Sequence, residues 1–213
     1  MSDRQQLPYV HLHTHTELSL LDGMSRTEEL LEQAKAYNMN ALAVTNHGNL
    51  FNTSKFYKQC IDEGIKPILG MEAYTRKDLN IKDKDEKPGH LILLAQNNDG
   101  WRNLKILSTR SYEEGFYKKP CIDRNLLSQH TEGLIVLSGC LNSDINKSIL
   151  AGRFQEAESI IDWFASTFTD RFYLELQPHL HMSDQVLVNN FLLEISNKKG
   201  IPAVLTCDSH YVK

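Results

Sequence analysis

The chain has 213 residues, of which 41% are hydrophobic and 23% charged, enough for one domain, residues 1–213, with a well-buried core. Its 27 acidic and 23 basic side chains give a formal net charge of −4, which excludes the basic footprint of a protein that grips nucleic acid unaided. No apolar run is long enough to span a bilayer and the N-terminal MSDRQQLPYV lacks a signal-peptide apolar core, so the expected setting is the cytoplasm, with no membrane partner.

Short apolar runs alternate with amphipathic segments, which predicts an α/β fold with a parallel sheet. The first strand is expected at residues 9–13. Ser25-Arg-Thr-Glu28 has the form of a capping box and opens the helical run EELLEQAKAY. A strand follows at 41–45, then a helix at 52–63 that stops at Gly64, then a strand at 67–72. Residues 76–89 are polar and aperiodic and predict a surface loop. Beyond it come a strand at 91–95, a helix at 99–112 and a strand at 134–138. Helices at 143–150 and 154–168, a strand at 172–176, a helix at 183–199 closed by Gly200 and a strand at 203–206 complete the pattern. No repeat or linker divides the chain.

Metal-type residues cluster where these strands end. ALAVTN leads into His47, KPILGM into Glu72, LIVLSG into Cys140 and AVLTC into Asp208. An α/β barrel gathers such residues at one mouth, because its parallel strands share a direction. His11, His13 and His15 alternate in HLHTH, and an extended backbone would turn all three to one face. Some pair of them fits a metal ion, though spacing does not say which. Asp208 and His210 form a second alternating pair. His47 suits a turn as well as a metal, and Glu72 suits a bridging ligand or a salt bridge. His90 precedes its apolar run HLILLA, which would put it at the wrong mouth unless the preceding loop folds inward. His179 and His181 also alternate, but beside Pro178 in a polar segment where they need not share a face. His130 is expected at the surface between a helix and a strand.

The four cysteines, Cys60, Cys121, Cys140 and Cys207, form no CxxC pair. Cys60, Cys121 and Cys207 are expected in the core as small hydrophobes. Cys140, after a Ser-Gly turn, can face a pocket. GxSxG, Walker and GxGxxG patterns are absent. So many ligand-type residues over the whole chain point to a multinuclear metal site and an enzyme acting on phosphate.

The stretches VHLHTHTELSLLDGMS, ALAVTNHGNLFNTSKFYKQCIDEGIKPILGMEAY, HLILLAQNNDGWRNLKILSTRSYEEGFY, GLIVLSGCLNSDI, RFYLELQPH and CDSHYV run in order along nearly the whole chain. Through them the chain resembles the PHP (polymerase and histidinol phosphatase) family, in the branch that opens bacterial DNA polymerase III alpha subunits. The resemblance implies a distorted seven-stranded β/α (TIM-like) barrel holding three divalent metal ions. It selects as ligands His13, His15, Asp22, His47, Glu72, His90, Cys140, Asp208 and His210, and makes His11 a candidate to support them from behind. It groups His13, His15, Glu72 and Asp208 on one ion, Glu72, His90 and Cys140 on a second, and Asp22, His47 and His210 on a third. Glu72, Asp208 and His210 are the expected catalytic residues. The mixed donors suit zinc best and admit manganese or iron. The implied activity is a metal-dependent phosphodiesterase, a 3′-5′ exonuclease that proofreads a DNA 3′ end delivered by polymerase domains. The expected partner is the remainder of that replicative polymerase, whose palm, thumb and fingers are absent here, so this chain cannot polymerise DNA. The alternatives are a histidinol-phosphatase-like phosphomonoesterase and a non-catalytic metal-binding scaffold. Two positions depart from the family pattern. Asn46 stands where an Asp is usual, which bears on the orientation of His47, and Cys207 stands where Asn is common.

Overall fold

A computed structural model describes residues 9–212. Residues 1–8, which make up most of the stretch inspected for a signal peptide, and Lys213 lie outside the described residues. The chain begins with an extended segment and then forms α1 (Thr27–Ala36), β1 (Ala41–Val44), α2 (Thr53–Asp62), β2 (Lys66–Thr75) and β3 (Gly89–Ala95). Next come α3 (Asn98–Glu113), β4 (Phe116–Tyr117), β5 (Lys119–Ile122), α4 (Arg124–Ser128) and β6 (Leu134–Leu137). α5 (Asp144–Leu150), α6 (Phe154–Phe168), a 3-10 turn at Thr169–Arg171, β7 (Phe172–Leu176), α7 (Ser183–Lys199) and β8 (Ala203–Leu205) follow. Among the described residues, no helix is long and apolar enough to cross a membrane.

The strands form one curled sheet in the order β4-β5-β2-β3-β6-β7-β8, with β1 also on β2. β1 and β2, β6 and β7, and β7 and β8 pair in parallel. β3 departs from the expected parallel sheet, being antiparallel to both β2 and β6. The expected strand at 9–13 is also absent as a regular element. Its place is taken by extended chain, and just beyond it side chains rather than a strand supply the acceptors. Thr45 Oγ1 accepts Thr14 N–H at 2.9 Å and Asn46 Oδ1 accepts Thr16 N–H at 2.8 Å. The segment still closes the barrel. His11 O and Thr14 O accept Ala43 and Thr45 N–H at 2.9 Å on one side. On the other, His15 N–H donates to Ser209 O at 2.8 Å and Ser209 N–H to His13 O at 3.2 Å. The result is a distorted β/α barrel.

Local sequence explains some helix ends. Ser143 Oγ caps α5 by accepting Asn146 N–H, and Gly200 closes α7 in the left-handed conformation. The expected capping box at Ser25 does not form. α1 begins one residue later, with Arg26 in the capping position and no side-chain cap, while the Ser25 carbonyl is engaged by Glu17 N–H at 3.0 Å. The β4-β5 hairpin and α4 were not anticipated, being too short to show a period.

Three apolar clusters form among the described residues, one of them packing α1 and α2 on β1 through Leu31, Leu42, Val44 and Phe56. The largest lies between the sheet and helices α3, α5, α6 and α7, and includes Leu104, Ile161, Phe168 and Leu192. The inner one fills the barrel floor with Ala43, Ile92, Leu94 and Leu137, packed against Ile68, Tyr173 and Val204. Each buried Leu, Ile or Phe contributes about 1.5–3 kcal/mol. Moving two residues along the same inward stripes, Ile92 leads to His90 and Tyr173 to Glu175. The floor is apolar and the mouth is ionisable.

Candidate metal centre

Glu72 stands at the centre of that mouth, on an inward position of β2 and fully buried. Its Oε2 lies 3.4 Å from His13 Nε2, 3.0 Å from His15 Nε2 and 2.9 Å from His47 Nδ1. Its Oε1 lies 3.0 Å from His90 Nδ1 and 3.6 Å from Cys140 Sγ. Asp208 Oδ1 faces His13 Nε2 at 3.1 Å and His15 Nε2 at 3.4 Å. At the rim, Asp22 Oδ2 meets His210 Nε2 at 2.7 Å and His47 Nε2 at 3.2 Å.

All nine residues singled out from the sequence meet here. Three sets have one ligand atom per residue within 4.8 Å of the others: His13, His15, Glu72 and Asp208; His15, Asp22, His47 and His210; and His47, Glu72 and His90. The first is the quartet the resemblance implied. Cys140 extends the third, its Sγ 3.5 Å from His90 Nδ1. His90 needs no infolded loop. β3 runs against its neighbours, so its beginning lies at the mouth where β2 ends, with His90 opposite Tyr74.

The donor set fits cations. Glu72 Oε2, Asp208 Oδ1 and His47 Nδ1 are buried without a protein hydrogen bond that satisfies them. His13 Nε2 and His15 Nε2 confront each other at 3.2 Å. Partners behind the rings fix which nitrogen faces inward. His13 Nδ1 donates to Glu175 Oε1 at 2.7 Å and His210 Nδ1 to the Asp208 carbonyl at 2.9 Å. Since these oxygens only accept, each Nε2 is the nitrogen that can offer a lone pair.

Without ions the charges balance one another. Burial opposes charge on His13, but Glu175, Glu72 and Asp208 outweigh it and hold the imidazole well above its usual pKa. Burial likewise opposes charge on Glu72, and the imidazoles of His13, His15 and His47 overcome it and hold the carboxyl well below the usual range. Asp208 is lowered in the same way, burial again being outweighed by His13 and His15. Burial pushes the Cys140 thiol up, and Glu72 and Asp208 add to that.

Backbone strain accompanies two of the carboxylates. Asp208 has φ +49° and Leu21, just before Asp22, has φ +64°, conformations uncommon outside glycine. Gly139, at φ +85°, brings the chain so close to β3 that a Cβ there would lie 2.8 Å from the His90 carbonyl.

Two supporting residues, Glu175 and Ser19, escaped the sequence reading, and a third, Asn46, acts otherwise than expected. Glu175 is fully buried on β7, and besides His13 its carboxylate takes Gly139 N–H at 3.1 Å and Gln177 Nε2 at 3.3 Å. Its place on the inward stripe two residues after Tyr173 was the available signal. Ser19 Oγ lies 2.7 Å from His15 Nδ1 and accepts His47 N–H at 3.0 Å. Asn46 does not orient His47 through its side chain. It accepts Thr16 N–H and Oγ1–H, which fastens the N-terminal segment to β1.

Other expectations resolve differently. His11 does not support the ligands. Its ring packs edge-on to Tyr9 at 4.9 Å and its Nδ1 has no partner. His179 and His181 lie in a turn, join none of the three sets and have ring centroids 6.2 Å apart. His130 is half-buried between α4 and β6. Cys60 and Cys121 are buried as expected, but Cys207 is only half-buried, its Sγ 3.3 Å from Tyr9 Oη. It lies past the end of β8, where the strand has already left the core.

A PHP domain family model matches residues 11–179. The chain is 45% identical over 208 residues to DNA polymerase III subunit alpha of Borreliella burgdorferi, covering 96% of this chain and 18% of that protein. It is 43% identical to the Thermus aquaticus protein of the same name, covering 98% and 18% respectively. The chain therefore spans about a fifth of the length of these curated relatives. Among solved structures, a candidate metal-dependent phosphoesterase from Bifidobacterium adolescentis is similar with a TM-score of 0.54 at 14% identity, covering 96% of this chain and 88% of that one. A two-domain Bacteroides vulgatus protein containing a predicted PHP-like metal-dependent phosphoesterase gives 0.55 at 15%, covering 94% and 51%. At these identities the likeness concerns the fold.

Proposed function

The chain belongs to the PHP domain family, and from that membership we propose that it is the metal-dependent phosphoesterase domain of a replicative polymerase, acting as a 3′-5′ exonuclease on a DNA primer end. The observation that carries this reading is the convergence of three ligand sets in one pocket, two of which share the carboxylate of Glu72. His13, His15, Glu72 and Asp208 would hold one ion, Glu72, His90 and Cys140 a second, and Asp22, His47 and His210 a third. The mixture of imidazole, carboxylate and thiol favours zinc, with manganese or iron as substitutes. Divalent ions there supply Lewis-acid stabilisation of the charge that develops on a phosphodiester during in-line displacement.

The chain's own groups then have distinct tasks. Glu175 holds the His13 ring by its Nδ1 proton, and the Asp208 carbonyl does the same for His210. Glu72 and Asp208 bring the negative charge that lets several cations share one pocket. His210 and Asp22 are the more exposed members, their side chains 23% and 37% accessible. They are placed to meet substrate first. The net charge of −4 fits a domain that receives its DNA end from polymerase domains in the cytoplasm rather than capturing it alone.

The deciding assay uses metal-loaded protein and an oligonucleotide with a labelled 3′ nucleotide. Release of that nucleotide is expected, and Asp208→Asn should remove it. Release that survives this change would sink the assignment. Turnover confined to histidinol phosphate would favour the phosphomonoesterase reading instead.

A further inference from the structure

A second cavity, of about 450 Å³, opens beside the metal centre beneath the loop joining β2 to β3. Its walls carry Arg76, Lys77, Lys87, Arg124, Lys147 and Arg153. Glu86, Asp144 and Glu156 are the acids that face them. Six cations against three acids is a local reversal on a chain whose net charge is −4.

The acids are already engaged. Asp144 Oδ2 accepts Thr75 Oγ1–H at 2.9 Å. Glu156 pairs with Arg153 and, at 3.8 Å, with Lys77. Glu86 Oε2 stands 3.6 Å from Arg76 Nη1, too far for a hydrogen bond, and its Oε1 takes Lys77 N–H at 3.3 Å. Several cations meet no acid. Lys147 Nζ donates only to the carbonyls of Pro88 at 2.7 Å and Lys87 at 3.2 Å. Arg124 stacks on Trp163 at 5.4 Å.

Arg76 is the most informative of the six. Its side chain is 2% accessible, and its Nε and Nη1 have no hydrogen-bond partner. The Tyr117 ring lies 5.0 Å from the guanidinium and Nη2 reaches the Tyr117 carbonyl at 3.4 Å. A guanidinium keeps its charge at any physiological pH, and buried N–H groups left unmet are costly. Two unmet donors on different edges of one guanidinium, in the wall of a cationic cavity, call for acceptor oxygens such as those of a phosphate.

We propose that this cavity is a phosphate-binding site. Arg76 lies at its base, and Lys87, Arg124 and Lys147 are the cations that an anion replaces water against. It is linked to the metal centre through α5: Lys147, which lines it, follows Asn146, whose side-chain amide donates to the Cys140 carbonyl at 2.9 Å. The phosphate belongs either to a nucleic-acid strand extending from the metal centre or to a free phosphate compound. The site does not depend on the exonuclease reading and requires no metal ion.

The test uses the chelator-treated full chain, so that anions cannot be held by metals. Inorganic pyrophosphate is titrated calorimetrically and a fluorescein-labelled eight-nucleotide thymidine strand by anisotropy. Lys87→Gln with Arg124→Gln removes two accessible charges from the cavity. Lys58→Gln with Lys105→Gln removes two elsewhere. The cavity pair should weaken binding about tenfold or more and flatten the salt dependence of strand binding by about one to two units of slope, while the other pair leaves both near wild type. Binding of the strand identifies a strand phosphate, and binding of pyrophosphate alone identifies a free one. Failure of the wild type to bind either, or equal losses in both pairs, overturns the proposal. Absence of nuclease activity in the metal-loaded wild type, with anion binding intact in chelator, would count against the exonuclease reading alone.

Discussion

Replacing Glu175 with glutamine keeps the side chain's size and removes its charge. Three of the donors that meet this carboxylate are His13 Nδ1 at 2.7 Å, Gly139 N at 3.1 Å and Gln177 Nε2 at 3.3 Å, and the Thr206 hydroxyl is a fourth. An amide has one accepting oxygen, so its NH₂ must face either the His13 side or the Gly139 N–H. A buried donor left unmet costs about 1–3 kcal/mol, and a hydrogen bond to a charged group is worth about 1.5–3 kcal/mol. Together they predict about 2–4 kcal/mol of lost stability, or several degrees in Tm for a chain of this size. The more diagnostic effect is on metal. Whichever way the amide turns, His13 loses the charged acceptor that holds its Nδ1 proton, and such losses reduce metal affinity about 10–100-fold. Chelator competition should therefore show weaker binding at the His13 set, with the Asp22, His47 and His210 set little changed. Thermal unfolding in chelator separates the two effects, because a purely structural role would lower Tm and leave affinity alone. A folded Glu175→Gln protein with wild-type affinity at every site would refute this account of how the His13 ring is held.

Gly23→Ala should act on the rim. A Cβ at this position would lie 2.2 Å from the Thr16 carbonyl, so the loop must move and take Asp22 with it. Metal analysis should find the third ion depleted, with a destabilisation of about 1–3 kcal/mol by urea unfolding; full occupancy would count against a rigid Asp22 loop. The metal-free protein should be most stable at mildly acidic pH. His13 and His15 are raised, burial in both being outweighed by carboxylates. Their contribution is therefore complete below an unfolded pKa of about 6.5 and fades as pH climbs through the folded values. Glu72 and Asp208 are lowered, so theirs is complete above about 4–4.5 and fades as pH drops through the folded values. Tm measured in chelator should peak between these limits, at about pH 4.5–6.5; a steady rise from pH 6 to 9 would contradict it.

What the sequence disclosed and withheld follows one physical line. Ligands set by local geometry were legible. Asp208 and His210 are two residues apart, Glu72 ends an apolar run, and His13 and His15 alternate. Such facts depend only on where a strand begins and which way its residues alternate. His90 was ambiguous because its place depends on strand direction, and β3 owes that direction to pairing with β2 and β6, residues remote from it in sequence. HLILLA has the same alternation whichever way it runs. Glu175 was missed for a related reason: one carboxylate in an apolar strand acquires meaning only when β7 sets it behind His13. Residues 9–13 were expected as a strand and are extended chain, and the side-chain acceptors Thr45 and Asn46 that fasten the chain just beyond them leave no mark in apolar periodicity. Direction and register thus decide which residues stand behind the candidate ligands, whereas alternation decides which side chains face the pocket as candidates. That asymmetry places the support of the metal centre, rather than its donors, among the features that only the folded chain discloses.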